Sequence, residues 1–456
     1  MKARPEIPRG PYLVVGMARS GVAAALALRR AGERVMGVDA GEPAIGGEPA
    51  DAGVELHLGE QGIALLDRVR ALVKSPGVPA QAPVIAAARE RDLPVLGELE
   101  LAWRMLANEF IAVTGTNGKT TTVELIGHIH REAGVSVAVA GNVGTPACSL
   151  VGRLAGDATV VCEASSFQLE DTCCFAPEAA VLLNVSPDHL DRHANMEAYL
   201  AAKLQIFARQ EAQDIAIAPA SMLRSGAPPP PGRGRHLGFG SGRGAEMSER
   251  DGSLRWHGQP LIEVSELRLR GRHNAENAMA AAAVCLARGL GHEAVRAGLR
   301  SFAGVPHRLE EVADRGGVLF VNDSKATNVA STLVALDAFA QRGSRASIHL
   351  IAGGQGKGQD FTALRGPIRR SCRALYLIGE DAGAIAAALA GARTPLHECV
   401  ELERALAEAD RAAVAGEVVL LSPACASFDQ FADFEARGDH FRELLGEGGF
   451  AARASK

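Results

Sequence analysis

Short runs of β-branched residues alternate with alanine-rich stretches along the whole chain of 456 residues. This alternation is typical of α/β proteins, in which helices connect the strands of mostly parallel sheets. At roughly 150 residues per domain, the length predicts about three domains. We place them at residues 1–108, 109–304 and 305–456. The low-complexity segment 228–242 (PPPPGRGRHLGFGSG) is predicted to be a solvated loop or a hairpin connection within the second domain.

Charge, hydropathy and cysteine spacing exclude several classes of function. With 48 basic and 53 acidic residues, the net charge of -5 gives no surplus for binding nucleic acid or an anionic membrane. No window approaches the roughly 20 apolar residues of a membrane span, and the N-terminus lacks a secretory signal pattern. The eight cysteines show no C-x-x-C spacing and lie mostly in apolar contexts, which predicts reduced, buried thiols and no zinc site. We expect a cytoplasmic, monomeric protein that acts on small molecules, with no nucleic-acid partner and no membrane insertion.

Lysine is scarce in this chain, with only seven among the 48 basic residues. A compact ammonium that can lose its proton and a planar, always-charged guanidinium are not interchangeable. For each lysine we therefore ask whether arginine could take its role. Four of the seven lie in motifs that are candidates for the functional site: Lys119, Lys203, Lys325 and Lys357.

The strongest local motif is IAVTGTNGKTTT at residues 111–122, which reads as a buried strand, a tight glycine loop and a helix. Successive backbone N–H groups in such a loop bind phosphate, a lysine neutralises its charge, and a hydroxyl after the lysine can ligate Mg²⁺. The motif predicts an ATP site with Lys119 and Thr120 in these two roles. Val113 stands where the first glycine of the common G-x-x-x-x-G-K-[ST] pattern would fall, so this loop is a variant. The alternative is a structural turn that happens to contain Gly-Lys-Thr.

Two further candidate residues follow predicted strands of the same domain. Glu163 ends one strand and His189 comes just after another. Ligands of an open α/β sheet bind beyond the carboxyl ends of its strands, so both side chains are expected to face the phosphate loop, where they could hold two Mg²⁺ ions. An exposed polar turn over residues 188–193 is the alternative for the second residue.

The first domain carries GMARSG (16–21) after one strand and Asp39 at the end of the next. This pattern imitates a dinucleotide-binding fingerprint, but Ala18 replaces its second glycine. NAD binding is therefore the weaker interpretation of this turn.

Taken together, the motifs resemble those of the Mur ligases of peptidoglycan synthesis over essentially the whole chain. The similar motifs are TGTNGKTTT (114–122), AGNVGTP (140–146), EASSFQLE (163–170), NVSPDHLDRH (184–193), AAKLQIF (201–207), GRHNAENAMAA (271–281), PHRLE (306–310), NDSKATN (322–328), GGQGKGQDF (353–361) and SPACASFDQF (422–431). SSFQLE and SPACASFDQF most resemble the branch of the family that adds D-glutamate. The resemblance implies an N-terminal Rossmann-like UDP-binding domain, a central P-loop ATPase domain with a mostly parallel sheet, and a C-terminal Rossmann-like glutamate-binding domain.

The resemblance also implies an ATP-dependent ligase with two Mg²⁺ ions. One ion lies between Thr120 and Glu163, and the other is held by His189 and by Lys203 in carbamylated form. Chemistry allows the carbamate, because CO₂ reacts with a neutral amine and a buried lysine readily loses its proton. The residue pattern alone would make Lys203 a surface lysine of the amphipathic stretch 196–207. The implied catalytic residues are Lys119, Glu163, His189 and Lys203, and the implied ATP contacts are Gly115, Thr116, Asn117, Gly118, Lys119, Thr120, Thr121, Asn277 (adenine), Arg308 (phosphates) and Asp323 (ribose).

For the other substrates the resemblance implies a UDP-N-acetylmuramoyl-L-alanine site and a glutamate site. The UDP-substrate residues are Gly16, Ala18, Arg19, Ser20, Asp39, Ser75, Asn142, Ser165, Gln168 and His189; the glutamate residues are Thr327, Lys357, Ser427 and Phe434. Lys325 is expected to support the glutamate site or the phosphates, and Lys74 has no assigned role beyond a possible one at the uridine site. Gln355 departs from the acidic residue that relatives often carry, which leaves that contact open.

Three other functions remain open at this point: a related ligase such as another Mur enzyme, an L-glutamate-adding variant or folylpolyglutamate synthetase; a catalytically silent nucleotide-binding protein; and an NAD-dependent oxidoreductase. The intact set of Lys119, Glu163, His189 and Lys203 favours the ligase.

Overall fold

The structure is a computed structural model, and it describes residues 2–43, 45–142, 144–188, 192–224, 230–241, 244–269, 271–340, 346–356 and 358–446. The chain divides into two compact units, Met1–Phe302 and Ala303–Lys456. None of the helices in the described ranges is long and apolar enough to cross a membrane. The expected division into three domains stays a prediction, although each of the three sheets lies within one of the predicted ranges.

The first sheet contains five parallel strands in the order β3-β2-β1-β4-β5. This is the strand order of a Rossmann-like half, in which ligands bind where the order reverses beside β1. The turn after β1 contains Gly16, as the sequence predicts. The elements are β1 (Tyr12–Val15), α1 (Arg19–Arg30), β2 (Val35–Asp39), α2 (Glu48–Asp51), β3 (Glu55–Leu58), β4 (Ala71–Lys74), α3 (Pro83–Glu90), β5 (Val95–Gly97) and α4 (Glu98–Met105).

The second sheet has nine strands in the order β14-β13-β12-β11-β10-β9-β6-β8-β7. The strands from β7 to β12 run parallel, and β13 and β14 add an antiparallel edge. Its elements are β6 (Phe110–Thr114), α5 (Lys119–Glu132), β7 (Val137–Gly141), β8 (Thr159–Glu163), α6 (Ser166–Glu170), β9 (Ala179–Leu182), α7 (Met196–Leu204), β10 (Ile215–Pro219), α8 (Ala220–Arg224), β11 (Arg235–Phe239), β12 (Met247–Arg250), β13 (Ser253–Trp256), β14 (Gln259–Glu263), α9 (Arg272–Ala287) and α10 (His292–Ser301).

The second unit is built on a six-stranded sheet in the order β15-β16-β20-β17-β18-β19, parallel except for the pair β15 and β16. Its elements are β15 (Glu310–Arg315), β16 (Val318–Asn322), α11 (Val329–Phe339), β17 (Ile348–Gly353), α12 (Arg365–Ser371), β18 (Cys372–Ile378), α13 (Ala382–Ala388), β19 (Leu396–Val400), α14 (Leu402–Ala412), β20 (Val418–Leu421) and α15 (Phe434–Leu445). The predicted α/β class with mostly parallel sheets is confirmed.

One local prediction is wrong. The segment 228–242 is not simply a loop, because β11 lies within it and pairs in parallel with β10. Leu237 and Phe239 of this strand are buried. Burial of these two apolar side chains stabilises a strand despite the neighbouring glycines, which disfavour one. Residues 228, 229 and 242 lie outside the described part of the chain.

Candidate functional site

The phosphate loop lies between β6 and α5, at the carboxyl edge of the second sheet. Gly118 caps α5 with a φ of 84°, a left-handed conformation that favours glycine. A β-carbon at this position would overlap the side-chain oxygen of Asn277. The predicted adenine contact of α9 therefore packs against the turn of the phosphate loop.

Asn184, just after β9, holds the middle of the loop. Its backbone oxygen accepts the N–H of Thr116 at 3.0 Å, and its side-chain oxygen accepts the N–H of Asn117 at 2.9 Å. The hydroxyl of Thr116 also lies 3.1 Å from the N–H of Ser186. These bonds fix the loop before any ligand binds. Sequence reasoning did not single out Asn184, although its place after a strand in NVSPDHLDRH was a usable signal.

Two of the scarce lysines meet at this loop. The ammonium of Lys119 donates hydrogen bonds to the carbonyl oxygens of Gly115 at 3.0 Å and Thr116 at 2.9 Å. The Nζ of Lys203 donates to the same oxygen of Gly115 at 2.8 Å. Two lysine side chains thus converge where the motif predicts phosphate.

Lys203 is buried, with 1% of its surface exposed, so the surface position that the residue pattern favours is wrong. Helix α7 begins at Met196, after Asn195 caps it by accepting the N–H of Ala198 at 2.9 Å. Tyr199 and Lys203, one turn apart, then face the phosphate loop, and the Nζ lies 4.3 Å from the centre of the tyrosine ring. Burial, together with the ammonium of Lys119, lowers the pKa of the Lys203 amine from 10.5 to about 7. A substantial share of this amine is therefore neutral at neutral pH.

Glu163 and Thr120 are brought together, as predicted. The hydroxyl of Thr120 donates to Oε2 of Glu163 at 2.8 Å, and the amide of Asn142 lies 3.2 Å from Oε1. Glu163 is 2% exposed, and the hydrogen-bond donors that reach its carboxylate among the described residues are neutral. A β-carbon at Gly141 would overlap the backbone of Glu163, so only glycine allows β7 to end this close to it. A buried carboxylate with neutral partners and a hydroxyl beside it suits a hard divalent cation.

Helix α6 carries the two side chains predicted to meet the muramoyl part of the substrate. Ser165 and Gln168 form a capping box, in which each side chain accepts the backbone N–H of the other residue. Ser166 and Glu170 of the same helix reach the ring nitrogens of His193, at 2.9 and 3.2 Å. His189, predicted as a metal and substrate residue, lies outside the described part of the chain.

In the first sheet, the predicted diphosphate turn is held by Asp39 and Ser75. The carboxylate of Asp39 accepts the N–H of Met17 at 2.7 Å, and the hydroxyl of Ser75 donates to the carbonyl oxygen of Gly16 at 2.6 Å. Ala18, Arg19 and Ser20 follow at the start of α1. Ala18 and Arg19 border a groove of about 480 Å³ that Pro146 and Ser149 also line. The predicted UDP residues of this sheet therefore surround one turn.

In the second unit, the predicted ribose contact Asp323 follows β16. Its carboxylate accepts the hydroxyl of Ser422 at 2.7 Å and the N–H of Leu309 at 3.2 Å. Burial raises the pKa of Asp323 to about 7, although the positive charge of Arg308 opposes the shift. The two predicted ATP residues of this unit, Arg308 and Asp323, thus influence one another.

Of the predicted glutamate residues, Thr327 and Ser427 lie in loops at the carboxyl edge of the third sheet, and Phe434 begins α15. Ser324 donates to the carbonyl oxygen of Phe434 at 2.8 Å, and the Nζ of Lys325 lies 5.7 Å from the Phe434 ring centre. Thr327 follows in the same loop after β16, while Ser427 is buried in the loop after β20. Lys357 lies outside the described residues.

Arg437 is a residue of this region that sequence reasoning missed. It is 1% exposed, and its guanidinium donates to the hydroxyl and carbonyl of Ser324 and to the carbonyls of Cys425 and Ala426, at 2.9 to 3.2 Å. Burial lowers the pKa of Arg437 to about 10. The signal was its spacing, because it shares a helical face with the buried Phe441 and Leu445.

The cysteines are free thiols, as predicted, and six of the eight are buried. The prediction of burial is wrong for Cys173, which is exposed, and for Cys174, which is half-buried. Among the described residues, Glu100, Cys173 and Cys174 bring three potential ligand atoms within 4.8 Å of one another. The Glu100 carboxylate already accepts the N–H groups of residues 173, 174 and 175 and pairs with Arg104 at 2.7 Å. Its oxygens are engaged by protein donors, so this cluster is structural.

The fold and the site define an α/β protein with a phosphate-binding loop whose neighbours are two convergent lysines and a buried carboxylate. Family models match the Mur ligase middle domain at residues 113–285, the Mur ligase, glutamate ligase domain at 307–425, and the Mur ligase MurD-like, N-terminal domain at 11–97. The chain belongs to the Mur ligase family.

Relatives of similar length resemble the chain from end to end. It is 44% identical to the UDP-N-acetylmuramoylalanine--D-glutamate ligase of Anaeromyxobacter dehalogenans, over 98% of this chain and 99% of the relative. It is 42% identical to the protein of the same name from Acidobacterium capsulatum, over 96% and 97%. Two solved Thermotoga maritima structures share the fold: MurC (TM-score 0.60, 20% identity, 96% of this chain and 99% of that one) and MurF in complex with ADP (0.56, 17%, 90% and 94%).

Proposed function

We propose that the protein joins D-glutamate to UDP-N-acetylmuramoyl-L-alanine in an ATP-dependent reaction that proceeds through an acyl phosphate. The substrates come from the names of its full-length relatives. The observation that carries the proposed chemistry is the convergence of Lys119 and the buried Lys203 on the carbonyl oxygen of Gly115. A catalytically silent binding protein would have no need for a buried amine at this point.

The phosphate loop would bind ATP through its backbone N–H groups and the start of α5. Lys119 can turn from the loop carbonyls to the phosphates, because an ammonium has three rotatable donors on a flexible stem. The alanyl carboxylate then attacks the γ-phosphate, which forms a C–O–P link and releases ADP. Positioned positive charge lowers the barrier for this transfer, since charge spreads over the phosphoryl oxygens. The remaining ATP contacts that we propose are Asn277, Arg308 and Asp323.

The pair of Thr120 and Glu163 would hold one Mg²⁺, and carbamylated Lys203 together with His189 a second. Bound Mg²⁺ supplies charge neutralisation at the phosphates. The buried carboxylate of Glu163 and the adjacent hydroxyl fit a cation that prefers oxygen ligands. The lowered pKa of Lys203 favours the neutral amine that CO₂ requires.

In the second half-reaction, the amine of glutamate attacks the acyl phosphate, an amide bond forms, and inorganic phosphate leaves. A glutamate substrate carries two carboxylates, which call for cationic and hydroxyl donors. Thr327, Lys357, Ser427 and the backbone near Phe434 are the donors that we propose. The buried Arg437 hydrogen-bonds Ser324 and Ala426, and so holds the two loops that contain Thr327 and Ser427.

The UDP-linked substrate would bind at the turn fixed by Asp39 and Ser75, with its sugar toward Asn142 and α6. ATP and UDP-linked precursors occur in the cytoplasm, which is where we place the reaction. We propose that the protein works as a monomer.

The test is release of inorganic phosphate from ATP by the purified protein, together with mass spectrometry of the UDP-linked product. We expect phosphate release only when UDP-N-acetylmuramoyl-L-alanine and D-glutamate are both present. Parallel reactions contain L-glutamate, another amino acid or a different muramoyl acceptor. Preference for L-glutamate or another acceptor would reassign the substrate within the family, and no phosphate release in any reaction would refute the proposal.

A further inference from the structure

Lys74 is a scarce lysine that the proposed chemistry does not use, and it is buried. It ends β4 with 2% of its surface exposed. Its Nζ forms an ion pair with Oδ2 of Asp171 at 2.7 Å and donates to the carbonyl oxygen of Val78 at 2.8 Å. One ammonium therefore joins two segments that are far apart in sequence.

The first of these segments is the turn at residues 75–78. Ser75 in this turn donates to the carbonyl oxygen of Gly16, and a β-carbon on Gly16 would lie 2.6 Å from the side chain of Val78. The turn therefore packs against the turn that we propose for the diphosphate. By donating to the Val78 oxygen, Lys74 holds the turn at residues 75–78 against the turn that contains Gly16.

The second segment begins at Asp171, which caps the C-terminus of α6. This helix has five residues, so a shift at its end is transmitted to Ser165 and Gln168 at its start. Gly97 allows Asp171 to approach closely, because a β-carbon there would lie only 2.7 Å from the β-carbon of Asp171. The backbone N–H groups of residues 173–175, which follow Asp171, donate to the carboxylate of Glu100 in α4.

We propose that Lys74 and Asp171 form a positioning pair, which sets the distance between the diphosphate turn and α6 and thereby the affinity for the UDP-linked substrate. The pair touches no reacting atom, and the inference rests on the proposed function. A charged, hydrogen-bonded pair fixes direction as well as distance, whereas an apolar contact is non-directional.

The test compares Lys74→Met, Asp171→Asn and the double variant Lys74→Met/Asp171→Leu. Removing one partner leaves a buried charge uncompensated, whereas replacing both with apolar residues is often neutral for stability. The double variant therefore keeps a folded protein in the experiment. Lys2→Met/Asp214→Leu is the matched control, because Lys2 also pairs with a buried aspartate, Asp214, at 2.5 Å, and Lys2 hydrogen-bonds Ala176 and not the substrate turns.

We expect the double variant to unfold at nearly the wild-type temperature and to show a KM for UDP-N-acetylmuramoyl-L-alanine raised about 10- to 100-fold. Its KM for ATP should stay unchanged, and Lys2→Met/Asp214→Leu should leave both KM values unchanged. A double variant with the wild-type KM for the UDP-linked substrate, or with both KM values raised equally, would overturn the proposal.

Calorimetric titration with UDP-N-acetylmuramoyl-L-alanine alone separates this inference from the proposed function. Wild-type protein that does not bind this compound contradicts the proposed function. If the wild-type protein and the double variant bind this compound equally tightly, only the positioning role of Lys74 and Asp171 is contradicted.

Discussion

The ammonium groups of Lys119 and Lys203 share one acceptor, the carbonyl oxygen of Gly115, at 3.0 and 2.8 Å. Burial, together with the ammonium of Lys119, lowers the pKa of the Lys203 amine to about 7. The lowered pKa suits Lys203 to reaction with CO₂, whereas the loop motif assigns Lys119 to the phosphates. The two roles therefore follow from one geometry.

Replacing Lys203 tests its role in catalysis. Arginine keeps the charge but cannot form a carbamate, so we expect Lys203→Arg and Lys203→Ala to lower kcat by about 100-fold or more, as the loss of a metal-supporting ligand does. A small carboxylate such as formate should restore part of the activity of the alanine variant only. Phosphate release measures both effects, and Lys2→Arg is the control. Wild-type activity in Lys203→Arg would contradict the carbamate.

Glu163→Gln tests the proposed Mg²⁺ site. The amide oxygen can still accept from Thr120, so we expect the free energy of unfolding to change little. Losing a charged oxygen ligand should raise the Mg²⁺ concentration that gives half-maximal activity about tenfold or more. A Mg²⁺ titration of phosphate release measures this value, and an unchanged titration curve would remove Glu163 from the metal site.

Gly118→Ala separates a steric effect from a backbone effect. The left-handed backbone at Gly118 makes alanine cost about 1 kcal/mol, and the new methyl group would also overlap Asn277. Gly134→Ala is the matched control, because Gly134 has a φ of 68° with nothing within 4 Å. We expect both variants to lose thermal stability, with the larger loss in Gly118→Ala, and a raised KM for ATP only in Gly118→Ala. An equal KM in the two variants would show that Asn277 does not constrain the loop.

Glu98 should make stability depend on pH. Burial raises the pKa of its carboxyl from 4.5 to about 7, so the folded state holds a proton that the unfolded state has lost. The free energy of unfolding should therefore fall as pH rises from about 4.5 to about 7, by about 3 kcal/mol in total. In Glu98→Gln the amide oxygen can still accept the N–H of Cys148, and this part of the pH dependence should disappear. Urea unfolding between pH 4 and 8 would contradict the prediction if both proteins gave parallel curves.

The strands and the phosphate loop could be predicted because their signals are local. The runs Tyr12–Val15, Phe110–Thr114 and Val418–Leu421 are strands, as the sequence indicates. Helix α15 begins at Phe434, because Asp433 caps it by accepting the N–H of Ala436 at 2.7 Å.

The contacts that complete the site join distant parts of the chain, and no local sequence pattern predicts them. Lys203 lies 88 residues from Gly115, its acceptor, and Arg437 lies 113 residues from Ser324. Burial of these cations depends on which segments pack together. Scarcity marked the lysines as unusual, but it did not give their partners.

The most direct measurement of the central claim is carbon-13 NMR of the protein in carbon-13-labelled bicarbonate, because it reports on Lys203 independently of activity. We predict a carbamate signal in the wild-type protein and in Lys2→Arg, and its loss in Lys203→Ala. A wild-type protein without a carbamate signal, or an equal signal in Lys203→Ala, would contradict the assignment of this buried amine as the CO₂ acceptor.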